Sequence, residues 1–177
     1  MYIGMRLQCC IWIIDDVLSL KNSKFSDSID LVYPHELDIE HTTDSMNSAS
    51  YLELQLEYDN QGKLHTRLYD KHDGFDSTIV LSSNIPSSPA YGVYISQLIL
   101  YSRACSHYSD FLARAKVLTQ KLLGQQFLLP RLKSSFEKFC GRHHDLVDRY
   151  NSSVTSMMTD LFHNWPVCFY SSQSKSM

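Results

Sequence analysis

A chain of 177 residues, 44% hydrophobic and 12% aromatic, is long enough for one globular domain or two small ones with a packed core. Its longest early apolar run, residues 7–14, ends at two acids and falls short of the roughly 20 residues of a membrane helix, so no membrane segment is expected. The formal net charge of −3 hides an uneven distribution, with 14 acids against six bases in residues 1–90 and nine bases against four acids in residues 91–150; this fits either complementary solvated surfaces or a basic part that meets phosphate.

Arg6 is the one early charge, and no small-residue cleavage site follows the apolar run, so the N-terminus does not read as a secretory signal. An intracellular protein, nuclear or cytoplasmic, is expected, and the Asn151-Ser152-Ser153 sequon carries no weight there. Cys9, Cys10, Cys105, Cys140 and Cys168 are odd in number and lack C-x-x-C spacing. They read as reduced core thiols rather than a disulfide framework or a zinc knot.

Taken in chain order, residues 7–20 read as strand, two-residue turn, strand, because β-branched and aromatic residues flank Asp15 and Asp16. A short helix is expected from about residue 23 to Tyr33, with Phe25, Ile29 and Val32 on one face and Pro34 as its stop. Residues 37–41 alternate like a strand, and residues 42–50 are a polar loop. The run from Tyr51 to Tyr58 alternates strongly, with Leu52, Leu54, Leu56 and Tyr58 on one face and Glu53, Gln55 and Glu57 on the other. Asp59-Asn60-Gln61-Gly62 is a turn, and residues 64–69 return as the partner strand.

Residues 71–89 are rich in Asp, Ser, Gly and Pro and mark a boundary loop. Beyond them the period changes to 3.6. Tyr94, Leu98, Tyr101 and Cys105 form one helical stripe, and Phe111, Ala115, Leu118 and Leu122 the next, with Gly124 as a stop. A third helix is expected over residues 129–139, opened by Pro130 and turning Leu132, Phe136 and Phe139 inward. A fourth covers residues 152–162. The expected class is α+β: a small antiparallel sheet of hairpins, then an α-helical bundle. The divisions are residues 1–75 for the sheet part, 76–90 for a connecting loop, 91–165 for the helical domain and 166–177 for a flexible tail.

His143 and His144 with Asp145 and Asp148 read as a solvated surface rather than a metal site, since adjacent histidines on a helix point apart. His35, His41, His65 and His72 are scattered among strands and loops. With no G-x-S-x-G or P-loop pattern, no hydrolase or ATPase role is assigned.

Two readings fit Asp15 and Asp16: a polar hairpin turn, or carboxylates that hold a divalent cation. The order of parts resembles the last part of the palm and the thumb of a reverse transcriptase, of the Penelope-like or a related retroelement group. Three blocks carry the resemblance. Ile13-Ile14-Asp15-Asp16-Val17-Leu18-Ser19-Leu20 stands where the family has Tyr-x-Asp-Asp and an apolar strand. Residues 49–71, ASYLELQLEYDNQGKLHTRLYDK, are similar to its second palm hairpin, and residues 82–106, with Ser96-Gln97 and Arg103-Ala104-Cys105, to its palm-to-thumb segment.

The resemblance implies RNA-directed DNA polymerase ancestry, with Asp15 as a Mg²⁺ ligand and Asp16 in support. Such chemistry uses two Mg²⁺ ions about 3.5–4 Å apart on oxygen ligands. It also implies that Arg103, Arg114, Lys121, Arg131, Lys133, Lys138 and Arg142 meet the backbone of an RNA/DNA primer–template, against the bland reading of solvated helix edges. Departures accompany it. The family's earlier metal-binding Asp has no counterpart in the 14 residues before Asp15, so the cage is incomplete and no polymerase activity is expected of this chain alone. Ile13 replaces the Tyr, Leu100 stands where relatives tend to have Arg, and residues 74–81 are short for the family's strand-like stretch. A non-catalytic nucleic-acid-binding helical module and a non-functional retroelement remnant stay open beside the truncated polymerase.

Overall fold

In the computed structural model, residues 10–13, 16–19, 25, 40, 45, 47–68 and 87–163 are described. The apolar start of the chain forms β1 (Cys10–Ile13) and β2 (Asp16–Ser19), paired antiparallel with Cys10 opposite Ser19 and Ile13 opposite Asp16. The expected hairpin is there, one residue out of step: Asp16 opens the second strand, and the two positions between the strands are 14 and 15. The expected helix of residues 23–33 lies outside the described residues apart from helical Phe25, as does the strand of residues 37–41 apart from Glu40, which is irregular.

A second antiparallel sheet has the order β3-β4-β5, from β3 (Ser48–Tyr51), β4 (Leu54–Tyr58) and β5 (Leu64–Leu68). Here the alternating run of residues 51–58 is not one strand. It breaks at Leu52 and Glu53, Leu52 taking the left-handed φ of 55°, and residues 48–50, expected as loop, are strand. Tyr51 pairs with Leu54 across the break, so Leu52 leaves the apolar face and stands exposed. Leu56 is buried as expected, but so is Gln55, whose amide donates to Ser48 Oγ at 2.7 Å and accepts from Ser50 Oγ at 2.9 Å. Those two bonds make a buried amide tolerable. The turn into β5 follows its sequence: Asp59 Oδ1 accepts from the amides of Gln61 and Lys63, both at 2.8 Å, and Gly62 supplies φ 74°.

Helix α1 (Ser87–Ala104) begins four residues before the expected boundary. Pro89 falls in its first turn, where an amide has no helical partner to lose. Helices α2 (Tyr108–Gly124), α3 (Leu129–Arg142), α4 (His144–Asp148) and α5 (Val154–Phe162) follow. The short α4 was not expected. Ser153 Oγ accepts from the Ser156 amide and caps α5.

The 3.6-residue stripes form the core: Tyr94, Leu98, Cys105, Phe111, Ala115, Leu122, Leu132, Phe136 and Phe139 are buried. Phe111 stacks on Tyr150 and Phe139, with centroids 5.3 and 6.2 Å away, and Phe136 meets Phe162 edge-on at 5.8 Å. These offset and edge contacts are the favourable arrangements for aromatic rings. Strand β5 joins this core through Leu68, so the three-stranded sheet and the helices form the expected α+β arrangement.

Candidate functional site

Asp16 is the first residue of β2; Asp15 and the side chain of Asp16 lie outside the described residues. The register sets Asp16 opposite Ile13 at the end of the ladder; a plain turn and a cation site both stay open. Among the described residues no group of three or more His, Cys, Asp and Glu converges to hold a metal ion. Those residues offer no ligand set for Mg²⁺.

The seven cations of the helical part differ in their surroundings. Arg131, Lys138 and Arg142 are exposed on α3 at spacings of seven and four. At about 100° per residue they fall within roughly 40° of one another along a single flank of the helix. Arg131 also lies over the Tyr91 ring, 5.8 Å from its centroid. Lys133 is on the opposite flank, half-buried, with its ammonium 5.7 Å from the centroid of Phe162. Arg114 and Lys121 share one edge of α2, but Arg114 donates to the Leu68 carbonyl at 3.0 Å, which pins the end of β5. Arg103 is exposed in the last turn of α1, where a cation suits the helix dipole. The seven are therefore not one patch by construction: three form a line, and two hold structure.

Sequence reasoning passed over a polar depression beside β5. Gln55, Glu57, His65 and Arg67 line it from the sheet, with Asp59 and Asn60 from the turn and His107 and Asp110 from the start of α2, around about 320 Å³. His65 Nε2 lies 3.0 Å from Asp59 Oδ2, and its other face stacks on His107 with centroids 4.3 Å apart. The hydrogen bond from His65, then that from the Lys63 amide, holds the Asp59 carboxyl below its ordinary value of 3.8. The paired carboxylate accepts a hydrogen bond from Nε2–H, which leaves the lone pair of the neutral ring on Nδ1. That atom is buried and has no partner. The second nitrogen of this imidazole is out of solvent, so in this geometry it is not open to a substrate. The 42-residue separation of His65 and His107 hid the pairing from the sequence.

Comparison with protein-family models, with curated proteins and with solved structures gives no match.

The thiols add no chemistry. Burial pushes Cys140 up to about 11 and raises Cys105 as well, so both stay protonated at neutral pH and are inert; they are free thiols in the core, as expected. Burial likewise raises Tyr94, Tyr108 and Tyr150. Tyr150 donates to the carbonyls of Ser102 and Cys105 and closes the end of α1. His143 is half-buried against Phe139 and His144 is exposed. Among the described residues no helix is long and apolar enough to cross a membrane.

Proposed function

We propose that this chain binds the sugar–phosphate backbone of a nucleic-acid duplex through its helical part, as a palm-and-thumb-like unit related to reverse transcriptases, without polymerase activity of its own. One observation carries the binding reading: Arg131, Lys138 and Arg142 stand in line on an exposed flank of α3, and among the described residues no carboxylate pairs with any of them. Cations so placed neutralise successive phosphates and release counterions, which gives affinity without base specificity. The ancestry rests on the three sequence blocks, in particular the pair Asp15-Asp16 between two apolar runs.

We infer no polymerase activity from the hairpin's acids by themselves. Two-metal phosphoryl transfer needs carboxylates that bridge both ions, and one hairpin's pair does not complete that set. The decisive experiment titrates the full chain with an RNA–DNA hybrid across a salt series. Affinity that falls steeply with salt supports the proposal; flat or absent binding rejects it. Primer extension by the chain with Mg²⁺, abolished by Asp15→Ala, would overturn the claim of inactivity and leave the binding claim standing.

A further inference from the structure

Two neighbouring contacts join the sheet to the bundle. Thr66 on β5 and Ser106 at the α1–α2 junction exchange hydrogen bonds: the Ser106 amide donates to Thr66 O at 2.7 Å, and the Thr66 amide donates to Ser106 Oγ at 2.9 Å. The residues beside them, His65 and His107, stack with their rings 26° from parallel. We propose that this joint is an acid-sensitive clasp, in which protonation of the two imidazoles opens the stack and loosens β5 from the junction between α1 and α2.

Two uncharged rings stack without penalty, and Asp59 fixes His65 with its proton on Nε2. A second proton on His65 has one place to go, Nδ1, which is buried and faces no acceptor. A buried donor without a partner is costly, and more so when charged. A proton on His107 places a cation against the same ring, and with both protonated two like charges are in contact.

Groups around the joint pull both ways. Glu57 from β4 and Asp110 from α2 line the depression and favour positive charge, as does Asp59. Arg67 from β5 lines it too and disfavours positive charge. Arg114 from α2 and Arg149 beyond α4 are further cations at this joint, bonded to the carbonyls of Leu68 and Cys105. Asp59 is already occupied by His65 and by the amides of Gln61 and Lys63. Among the described residues Glu57 and Asp110 make no hydrogen bond to either ring, so they act through solvent, whereas the rings repel in contact. The contact terms decide the direction.

Amide hydrogen exchange of the full chain, read at Thr66 and Ser106 and corrected for intrinsic exchange, tests the clasp. The measurement is made at about pH 7.5 and about pH 5, on either side of the ordinary imidazole range. Protection at these two amides is expected to fall about tenfold in acid relative to amides in α3, the size set by one orphaned buried donor. His107→Phe keeps a ring but removes one of the two titrating charges, so its acid loss is expected to be smaller than in the wild type while His65 Nδ1 still contributes. His107→Gln serves if the phenyl ring disturbs the joint. Equal protection of the wild type at both pH values, or an acid loss as large in both variants as in the wild type, overturns the proposal.

Discussion

Thr66 and Ser106, 40 residues apart, treat each other as β-sheet neighbours. The bond from the Ser106 amide to Thr66 O, the bond from the Thr66 amide to Ser106 Oγ and the 2.9 Å approach of the two hydroxyls cover the outer edge of β5 at this position, where the strand would otherwise offer an unpaired amide to another chain. Ser106→Ala removes the acceptor for the Thr66 amide and leaves the Ser106 amide in place. The expected cost is about 1–2 kcal/mol, read as a shift of the urea midpoint. Exchange protection at Thr66 is expected to drop further than at Leu56 on the central strand. Equal losses at both positions would count against the edge-covering role.

Tyr94 and Thr119 form a buried pair whose direction follows from its surroundings. Thr119 Oγ1 donates to the Ala115 carbonyl at 2.7 Å, so the 2.9 Å bond between the two hydroxyls has Tyr94 as donor. Tyr94→Phe removes a donor and leaves no unsatisfied hydrogen, at an expected cost of about 1 kcal/mol. Thr119→Val strands the Tyr94 hydroxyl in the core and costs more, roughly 2–3 kcal/mol. The double variant is expected to be more stable than Thr119→Val alone. A denaturation cycle over the four proteins measures this, and strict additivity would refute it.

The end of α2 offers a stabilising change. Gln126 donates to Leu123 O and Phe127 to Leu122 O, the two bonds of a Schellman ending, with Leu122 and Phe127 both buried beside it. The left-handed position belongs to Gln126, at φ 69°, not to Gly124. Gln126 is exposed, so little packing is at stake. Gln126→Gly is expected to raise stability by about 0.5–1 kcal/mol, visible as a higher melting temperature; a drop would mean that the strain is absent.

The same helix end shows what a sequence carries and what it hides. Glycine near a helix terminus marked the stop correctly, but the special conformation fell two residues later on a residue type that gives no signal. Leu52 repeats the lesson: a left-handed leucine inside an alternating run has nothing to announce a turn, so two strands read as one. Inward stripes such as Leu132, Phe136 and Phe139 were legible because burial of one helix face imposes their spacing. The line of Arg131, Lys138 and Arg142 was present in the sequence but mixed with Arg114 and Lys133, whose partners Leu68 and Phe162 belong to other elements. Which cation is spent on structure depends on tertiary contacts. The stacked His65 and His107 were illegible for the same reason.

Asp59 makes the turn before β5 sensitive to acid. Its carboxyl titrates below 3.8 in the folded chain because the His65 ring and the Lys63 amide donate to it, with burial opposing. A depressed folded value contributes stability that is present above about 3.8 and is lost as pH falls through the folded value. Asp59→Asn keeps a side-chain oxygen for the turn amides but not the charge. The stability gap between wild type and variant is expected above pH 3.8 and to shrink as pH falls below it through the folded value. Urea midpoints taken across that window read the gap; one that persists into strong acid would show that the charge is not its source.

The line of cations on α3 gives the most discriminating outcome. Each phosphate neutralised on a duplex adds about 0.9 to the slope of log affinity against log salt concentration, so Arg131→Gln, Lys138→Gln and Arg142→Gln together are expected to flatten it by roughly 2–3. Exposure of all three predicts little change in folding stability. Lys133→Gln is the internal control: it lies on the other flank against Phe162, and its slope is expected to stay within about 0.5 of wild type. Arg114→Gln is expected to act differently again, lowering stability by about 1–2 kcal/mol because the Leu68 carbonyl loses its charged donor. Loss of slope shared equally by Lys133 and the three aligned residues would mean that binding follows net charge rather than this flank of α3.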